Sequence, residues 1–439
     1  MDTTTGSRSL DRRIAALAIP AMAGLLTDPL YDLCDTAILG HLGTRQLAGA
    51  ALASRVLALG YATFIFLMFG TTAAVARFSG AGRPRDAIEE GVGAAWLGVG
   101  LGVAAAGVIG LAGPTLIDWF GGTAGVAADA WTYLSVSLVG FPAFMVVMAG
   151  TGDLRGTANT RLPLVIAVIS VGANLIGELV AIVGLGLGVG ASAATTVLAK
   201  WGSAITYLVI LNRRARRLGA RTQPHAATMR RLLVVGRDLV VRTAALLLTL
   251  SIATALAARQ GAVALAAHSI AFGIWQFAAY ISDGTEVAGQ ALVAHALGAG
   301  RPHDAAVAAR RLLVWAVGVG LTLTIIIVAC RTVLPRVFSD DPEVVSATQG
   351  ILWWVAALQP INACAFALDG VWVGAGRQRF LALAMGGAAL VFVATVTGAR
   401  TVGAGLWPIW AGLGAFMVAR LLPALGQLTT RLPLGESPG

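Results

Sequence analysis

The sequence predicts an all-α polytopic membrane protein: twelve transmembrane helices in two six-helix bundles related by a parallel pseudo-two-fold. Three observations lead there. Hydrophobic residues make up 57% of the 439 residues and charged ones only 12%, about half the ~25% usual in a soluble domain. Apolar stretches of roughly 20 residues, the length that crosses a bilayer, recur between short polar breaks. Residues 80–87 (GAGRPRDA) and 298–305 (GAGRPHDA) agree at all positions but one. The same offset of 218 residues carries Gly43 onto Gly261, Leu47 onto Leu265, Gly100 onto Gly318, Pro142 onto Pro360 and Gly156 onto Gly374. One unit is therefore written twice. Duplicated apolar halves are characteristic of transporters whose pathway runs between them.

The predicted spans of the first half are 14–39, 47–76, 89–113, 126–154, 162–185 and 188–212. Those of the second half are 232–258, 262–297, 306–333, 344–374, 380–398 and 402–425. This gives a first bundle over 10–212, a basic linker over 213–231, a second bundle over 232–425 and a tail over 426–439. Six is even, so both halves enter the membrane from the same side and the repeat is parallel. The GAGRP segments fall in the short loops after the second and eighth spans. Glycine permits the tight turn, arginine meets the headgroups, and proline suits the first turn of the following helix. These loops read as structural, with no phosphate-binding role.

A net charge of +10 raises the question of nucleic acid, but the charge is sorted by loop. The linker 213–231 holds seven arginines, and Arg8, Arg12, Arg13, Arg83, Arg85, Arg155, Arg161, Arg301, Arg310, Arg311, Arg377, Arg379 and Arg431 fall on the same side. The opposite loops hold Arg45, Arg259, Arg331, Arg336 and Arg400, and loop 114–130 has Asp118 and Asp129 without a basic residue. This positive-inside pattern predicts a cell-membrane protein with both termini cytoplasmic. The linker reads as a solvated segment near anionic lipid. The expected partners are the bilayer and a small-molecule substrate, with no nucleic acid and a monomeric chain. Cys34, Cys330 and Cys364 lie in or at the end of apolar spans, without disulfide or metal spacing. The first span carries three aspartates and reads as a retained helix rather than a signal peptide. No GxxxxGK[ST], HExxH or GxSxG motif is present. An ATP-driven pump and an intramembrane enzyme are thus not expected, nor any cofactor.

Polar residues at bilayer depth cost a few kcal/mol on insertion scales and are functional candidates by default. The first span has Asp28, Asp32 and Asp35, spaced by four and three and so on one helical face. That face must look into a water-filled cavity or at partners. Three carboxylates so close cannot all be ionised cheaply, which suits a site that exchanges a proton or a cation; a structural ion-pair cluster is the alternative. Candidate partners are Arg55 in the second span, Lys200 in the sixth, and Asn174 with Glu178, one turn apart in the fifth. For Arg55 and Lys200, charge neutralisation of the aspartate stripe is favoured over substrate contact. Pro20 and Pro29 each remove a hydrogen bond from the first span and permit a bend.

The stripe was not duplicated: Asp28 maps onto Leu246 and Asp35 onto Ala253. The second half instead has Arg242, Asp283, Glu286 and Asp369. An interhelical polar network is favoured over a transport role for these, and His268 reads as a packed histidine. Ion coupling is therefore expected in the first half.

Several segments resemble the multidrug and toxic compound extrusion (MATE) family, most closely its DinF branch. They are CDTAILGHLG (34–43), LRGTANTRLPL (154–164), RDLVVR (237–242), SDG (282–284) leading to GAGRP, and LDGVWVGAGR (368–377). The resemblance covers about 10–425. It implies two six-helix bundles around a central cleft, rocker-switch alternating access, and export of organic, often cationic compounds against protons or sodium. Carried over, the coupling residues are Asp35, Asn174, Glu178 and Thr196, with Pro20 as the bending proline. Glu178 stands where the family usually has aspartate. The sodium-coupled branch has acids at positions occupied here by Leu246 and Asn362, which favours protons, with a first-half sodium site as the alternative. Asp28, Asp32, Arg55 and Lys200 depart from the family pattern and read as cavity-lining residues that tune substrate choice. The alternative function is a flippase for a lipid-linked or amphipathic glycoconjugate, which needs a basic cavity. A non-transporting scaffold is disfavoured by the cost of three membrane aspartates.

Overall fold

The computed structural model describes residues 3–121, 123–400 and 405–430. Of the tail expected over 426–439, residues 426–430 continue the last helix; 431–439 and the start of the last predicted span, 402–404, lie outside the described residues. The described chain is helical, with no strand among the described residues. In the first half, α1 is Thr3–Gly40, α2 is Thr44–Gly80, α3 is Pro84–Trp119, α4 is the pair Gly125–Val139 and Phe141–Gly156, α5 is Arg161–Gly184 and α6 is Val189–Leu218. In the second, α7 is Ala226–Ala258, α8 Ala262–Gly298, α9 Pro302–Cys330, α10 Pro342–Gly374, α11 Gln378–Arg400 and α12 Trp407–Thr430. Among the described residues, eleven helices are long and apolar enough to cross a membrane, and α4 supplies a twelfth as a broken span bent by 49°. The break falls at Gly140, just before Pro142, whose missing N–H ends the hydrogen-bond ladder of the preceding segment.

The repeat is visible in backbone geometry. Gly43 and Gly261, which open α2 and α8, have φ of 105° and 106°, while Gly82 and Gly300 in the GAGRP turns both have φ 68°. These are values that a side chain disfavours. Pro84 and Pro302 then start α3 and α9 at the first helical position. Close helix crossings repeat as well. A Cβ on Gly102 would strike the Pro142 backbone, and one on Gly320 would strike that of Pro360. The offset therefore preserves a backbone-to-backbone approach in each half.

The chain divides into two compact units, Ala23–Gly236 and residues up to Met22 joined with Arg237–Gly439. These limits differ from the bundle limits expected at 212 and 232, because α1 and α7 are each divided. In the second unit, the start of α1 is held by Asp11, which accepts hydrogen bonds from Arg311 and Trp315 of α9. Gly284 of α8 lies close against Ala18. In the first unit, the start of α7 packs against α2 and α3. Gly236 sits against Phe66 and Thr228 against Gly93, and Arg231 pairs with Glu90. The stretch expected as a linker at 213–231 is largely helical. Only 219–225 is not, because its Arg- and Ala-rich flanks are good helix formers. Gly219, left-handed at φ 59°, ends α6 after Arg216 and Arg217, whose charge suits a helix C-terminus.

Candidate coupling site and cavity

The first unit encloses a cavity of ≈ 530 Å³. Its wall is built from four helices. α1 contributes Asp28, Asp32 and Asp35, spaced so that they share one face; α2 adds Ser54 and Arg55; α4 adds Tyr133 and Phe144; α6 adds Thr196 and Lys200. The acidic stripe thus opens onto a cavity within its own unit. Asp28 and Asp32 are exposed to that space. Lys200 Nζ lies 3.8 Å from Asp28 Oδ1 and 5.6 Å from the centre of the Phe144 ring. Lys200 is therefore placed to neutralise the stripe. Arg55 lines the same cavity but, among the described residues, makes no ion pair.

Behind the wall lies a buried network. Glu178 is 0% exposed and Asn174 5%. Tyr31 donates to Glu178 Oε1 at 2.9 Å and lies 3.1 Å from the Thr196 hydroxyl. Asn174 Nδ2 donates to Thr196 Oγ1 at 3.0 Å. The Ser192 hydroxyl is 3.0 Å from Glu178 Oε1 and 3.3 Å from Asp35 Oδ1. Asp35, Asn174, Glu178 and Thr196, far apart in sequence, are thereby brought into one cluster. α5 positions the pair Asn174 and Glu178 one turn apart, and its last turn, Leu179–Gly184, widens to a π-helix directly after Glu178. Such π turns recur at functional sites.

A serine hydroxyl carries one hydrogen. Ser192 can donate to Glu178 or to Asp35 but not to both, so the second contact is complete only when one carboxyl group donates instead. Both carboxyls lie against the same hydroxyl, which brings them close together. Glu178 Oε2 and Asn174 Oδ1 are buried without a hydrogen-bond partner, which leaves one carboxyl oxygen able to take a proton and two oxygens able to coordinate a hard cation. Tyr31 and Ser192 escaped the sequence reading. Tyr31 precedes Asp32 and resembles any span aromatic, and Ser192 is one of several small polar residues at the start of α6. For Ser192 only the fold supplies the signal; Tyr31, four residues from Asp35, could have been found from helical spacing.

Pro20 and Pro29 lie within α1, which stays helical through both. The division between the two units falls between them, at Met22 and Ala23.

The second unit holds the other predicted group, Arg242, Asp283, Glu286 and Asp369. Asp369 Oδ2 accepts from Arg242 and from Arg420 of α12. Glu286 Oε1 is 3.9 Å from Arg242, and Asp283, half-buried, lies three residues before Glu286 on α8. Arg420 was missed, although a lone arginine in the apolar run 413–425 was a readable signal. His268 is 1% exposed and packs beside Phe272 and Trp410.

The MatE family pattern matches residues 20–180 and 240–397. The chain belongs to the MatE family. It is a multi-pass membrane transporter of that family, not an enzyme. It is 30% identical over 444 residues to Protein DETOXIFICATION 44, chloroplastic, of Arabidopsis thaliana, covering 97% of this chain and 84% of that protein. It is 25% identical to DNA damage-inducible protein F of Escherichia coli, covering 94% and 90%. A MOP superfamily transporter from Pyrococcus furiosus superimposes with a TM-score of 0.87 at 21% identity, covering 98% of this MatE chain and 99% of that one. That likeness establishes a shared fold.

Proposed function

We propose that this MatE transporter is a secondary active antiporter. It exports small organic compounds, often cationic or amphipathic, in exchange for protons by rocker-switch alternating access. The observation that carries the reading is the hydrogen shortfall at Ser192: two carboxyl groups, Asp35 and Glu178, compete for one hydroxyl hydrogen at the wall of an acidic cavity. A proton entering from the cavity completes the network through Asp35. Its departure leaves Asp35 charged and facing a cationic substrate. Asp28, Asp32 and Asp35 outnumber Arg55 and Lys200 in that cavity, which suits a cation.

The test is proton uptake by proteoliposomes on addition of a cationic dye, under a proton gradient and, separately, a sodium gradient. Asp35→Asn is expected to reduce exchange at least about tenfold, as loss of a required proton carrier does. Undiminished exchange in Asp35→Asn sinks the assignment, and dependence on sodium alone moves it to a first-half sodium site. One feature favours the second reading, a flippase for a lipid-linked or amphipathic glycoconjugate: Arg55, a cavity cation that makes no ion pair among the described residues. Binding of an anionic lipid pyrophosphate but no organic cation supports that reading.

A further inference from the structure

Outside the cavity, one face of α3 in the first unit carries two kinds of surface in sequence. Arg85, Glu89, Val92, Trp96 and Val99 are spaced by four and three residues and share that face. The deeper part lines an apolar groove of ≈ 400 Å³ whose other wall is Ile205, Leu208 and Val209 of α6. Trp96, Ile205 and Leu208 are 46%, 55% and 38% exposed, so no other helix of the unit covers the groove. The shallower part borders a polar pocket of ≈ 460 Å³. Three of its arginines are neutralised there: Arg83 by Asp86, Arg85 by Glu89 and Arg231 by Glu90. Arg221 is the surplus cation, its guanidinium in no ion pair among the described residues, with His225 beside it.

The segment between α6 and α7 joins the two surfaces. The Arg221 N–H donates to Glu89 at 3.1 Å, and Trp96 Nε1 donates to the Thr222 carbonyl at 2.9 Å. The backbone of Arg221 and Thr222 is thus fixed at the junction, which places a cation at the mouth of the groove. At 1.5 Å per residue, Glu89 and Trp96 lie about 10 Å apart along α3, so the polar pocket and the apolar groove adjoin within two turns. The indole at the junction is the side chain that prefers a membrane–water boundary.

We propose that this composite surface is a binding site for a single anionic phospholipid. The phosphate sits at Arg221 and His225, and an acyl chain lies along Trp96 and Val99 in the groove between α3 and α6. The leaflet is the cytoplasmic one if the arginine distribution sets the orientation. The site would tie lipid composition to the segment that connects the two halves of the chain.

Native mass spectrometry of the whole protein, released from detergent with added phosphatidylglycerol or phosphatidylcholine, tests this directly. Phosphatidylglycerol is expected to be retained about fivefold better, because both lipids offer a phosphate but only phosphatidylcholine brings a trimethylammonium that cancels its attraction to Arg221. Arg221→Ala combined with His225→Ala should remove that preference. Trp96→Ala should weaken retention of both lipids. Arg221 is exposed, and Arg221→Lys, which keeps the charge, should keep most of the preference and show that the chain still folds. Equal retention of the two lipids by the wild type, or a preference untouched by the double substitution, overturns the proposal. So does displacement of bound phosphatidylglycerol by millimolar glycerol phosphate, which would mark a site for free anions.

Discussion

The two halves share their turns and crossings but use charge in opposite ways. In the first, carboxyl groups line or back a cavity and are served by the neutral hydroxyls of Tyr31 and Ser192, which can reorient, with Thr196 bonded to Tyr31 in turn. In the second, Asp369 is held by two arginines on different helices, and Arg242, Glu286 and Arg420 are all buried. A hydroxyl network can pass hydrogens at little cost. A doubly paired carboxylate in a low-dielectric interior is fixed in place, because breaking either pair leaves a charge stranded. The difference shows how a duplicated scaffold diverges. Turn glycines and crossing glycines hold the backbone, and the polar residues are then free to become a mobile site in one copy and a clamp in the other.

The largest expected effect tests the clamp. Asp369→Ala strands Arg242 and Arg420 and should destabilise the protein by about 3–5 kcal/mol, read as a lower melting temperature in detergent. Asp35→Asn should leave the melting temperature nearly unchanged while abolishing exchange. If the two variants exchange these phenotypes, the contrast between the halves fails. Next is the shared scaffold. Gly102→Val and Gly320→Val each force a side chain into a proline backbone and should each cost about 1–3 kcal/mol. Similar losses in both confirm that the crossing is equivalent; a loss in one alone breaks the equivalence. Ser192→Ala removes the hydrogen for which Asp35 and Glu178 compete. The loss of one hydrogen bond, about 1 kcal/mol, predicts an exchange rate lower by about fivefold with little change in stability. The smallest effect is expected from Lys200→Met. Its contact with Asp28 is long and solvated, so stability should move by less than about 1 kcal/mol. Dye-binding measurements should show a stronger preference for cations once the cavity loses this positive charge.

Much of the fold could be read in advance because it depends on local chemistry. Span lengths follow from apolar runs, and Gly82, Gly300, Pro84 and Pro302 announce their turns by residue type. The bend in α4 was less legible, although Gly140 and Pro142 carry it. Pro360 occupies the equivalent place in α10, which stays a single helix. Residue type alone therefore does not decide between a kink and a continuous span. The extent of α6 and α7 into the basic stretch was obscured by charge, which marks a solvated position without marking its backbone state.

For the site, helical spacing alone put Asp28, Asp32 and Asp35 on one face, and the cost of charge in a membrane requires such a face to be sheltered. Those conclusions hold for any arrangement of the other helices. The sequence by itself also determined that the chain is two copies of one membrane unit and that the acidic stripe belongs only to the first. Only the tertiary structure decided that Ser192 stands between Asp35 and Glu178, that Arg420 joins Arg242 on Asp369, and that α1 and α7 are divided between the two compact units. The physical reason is distance along the chain. Periodicity constrains residues within a few turns of one another, whereas Asp35 and Ser192 are 157 positions apart, and what joins them is the packing of α1 against α6.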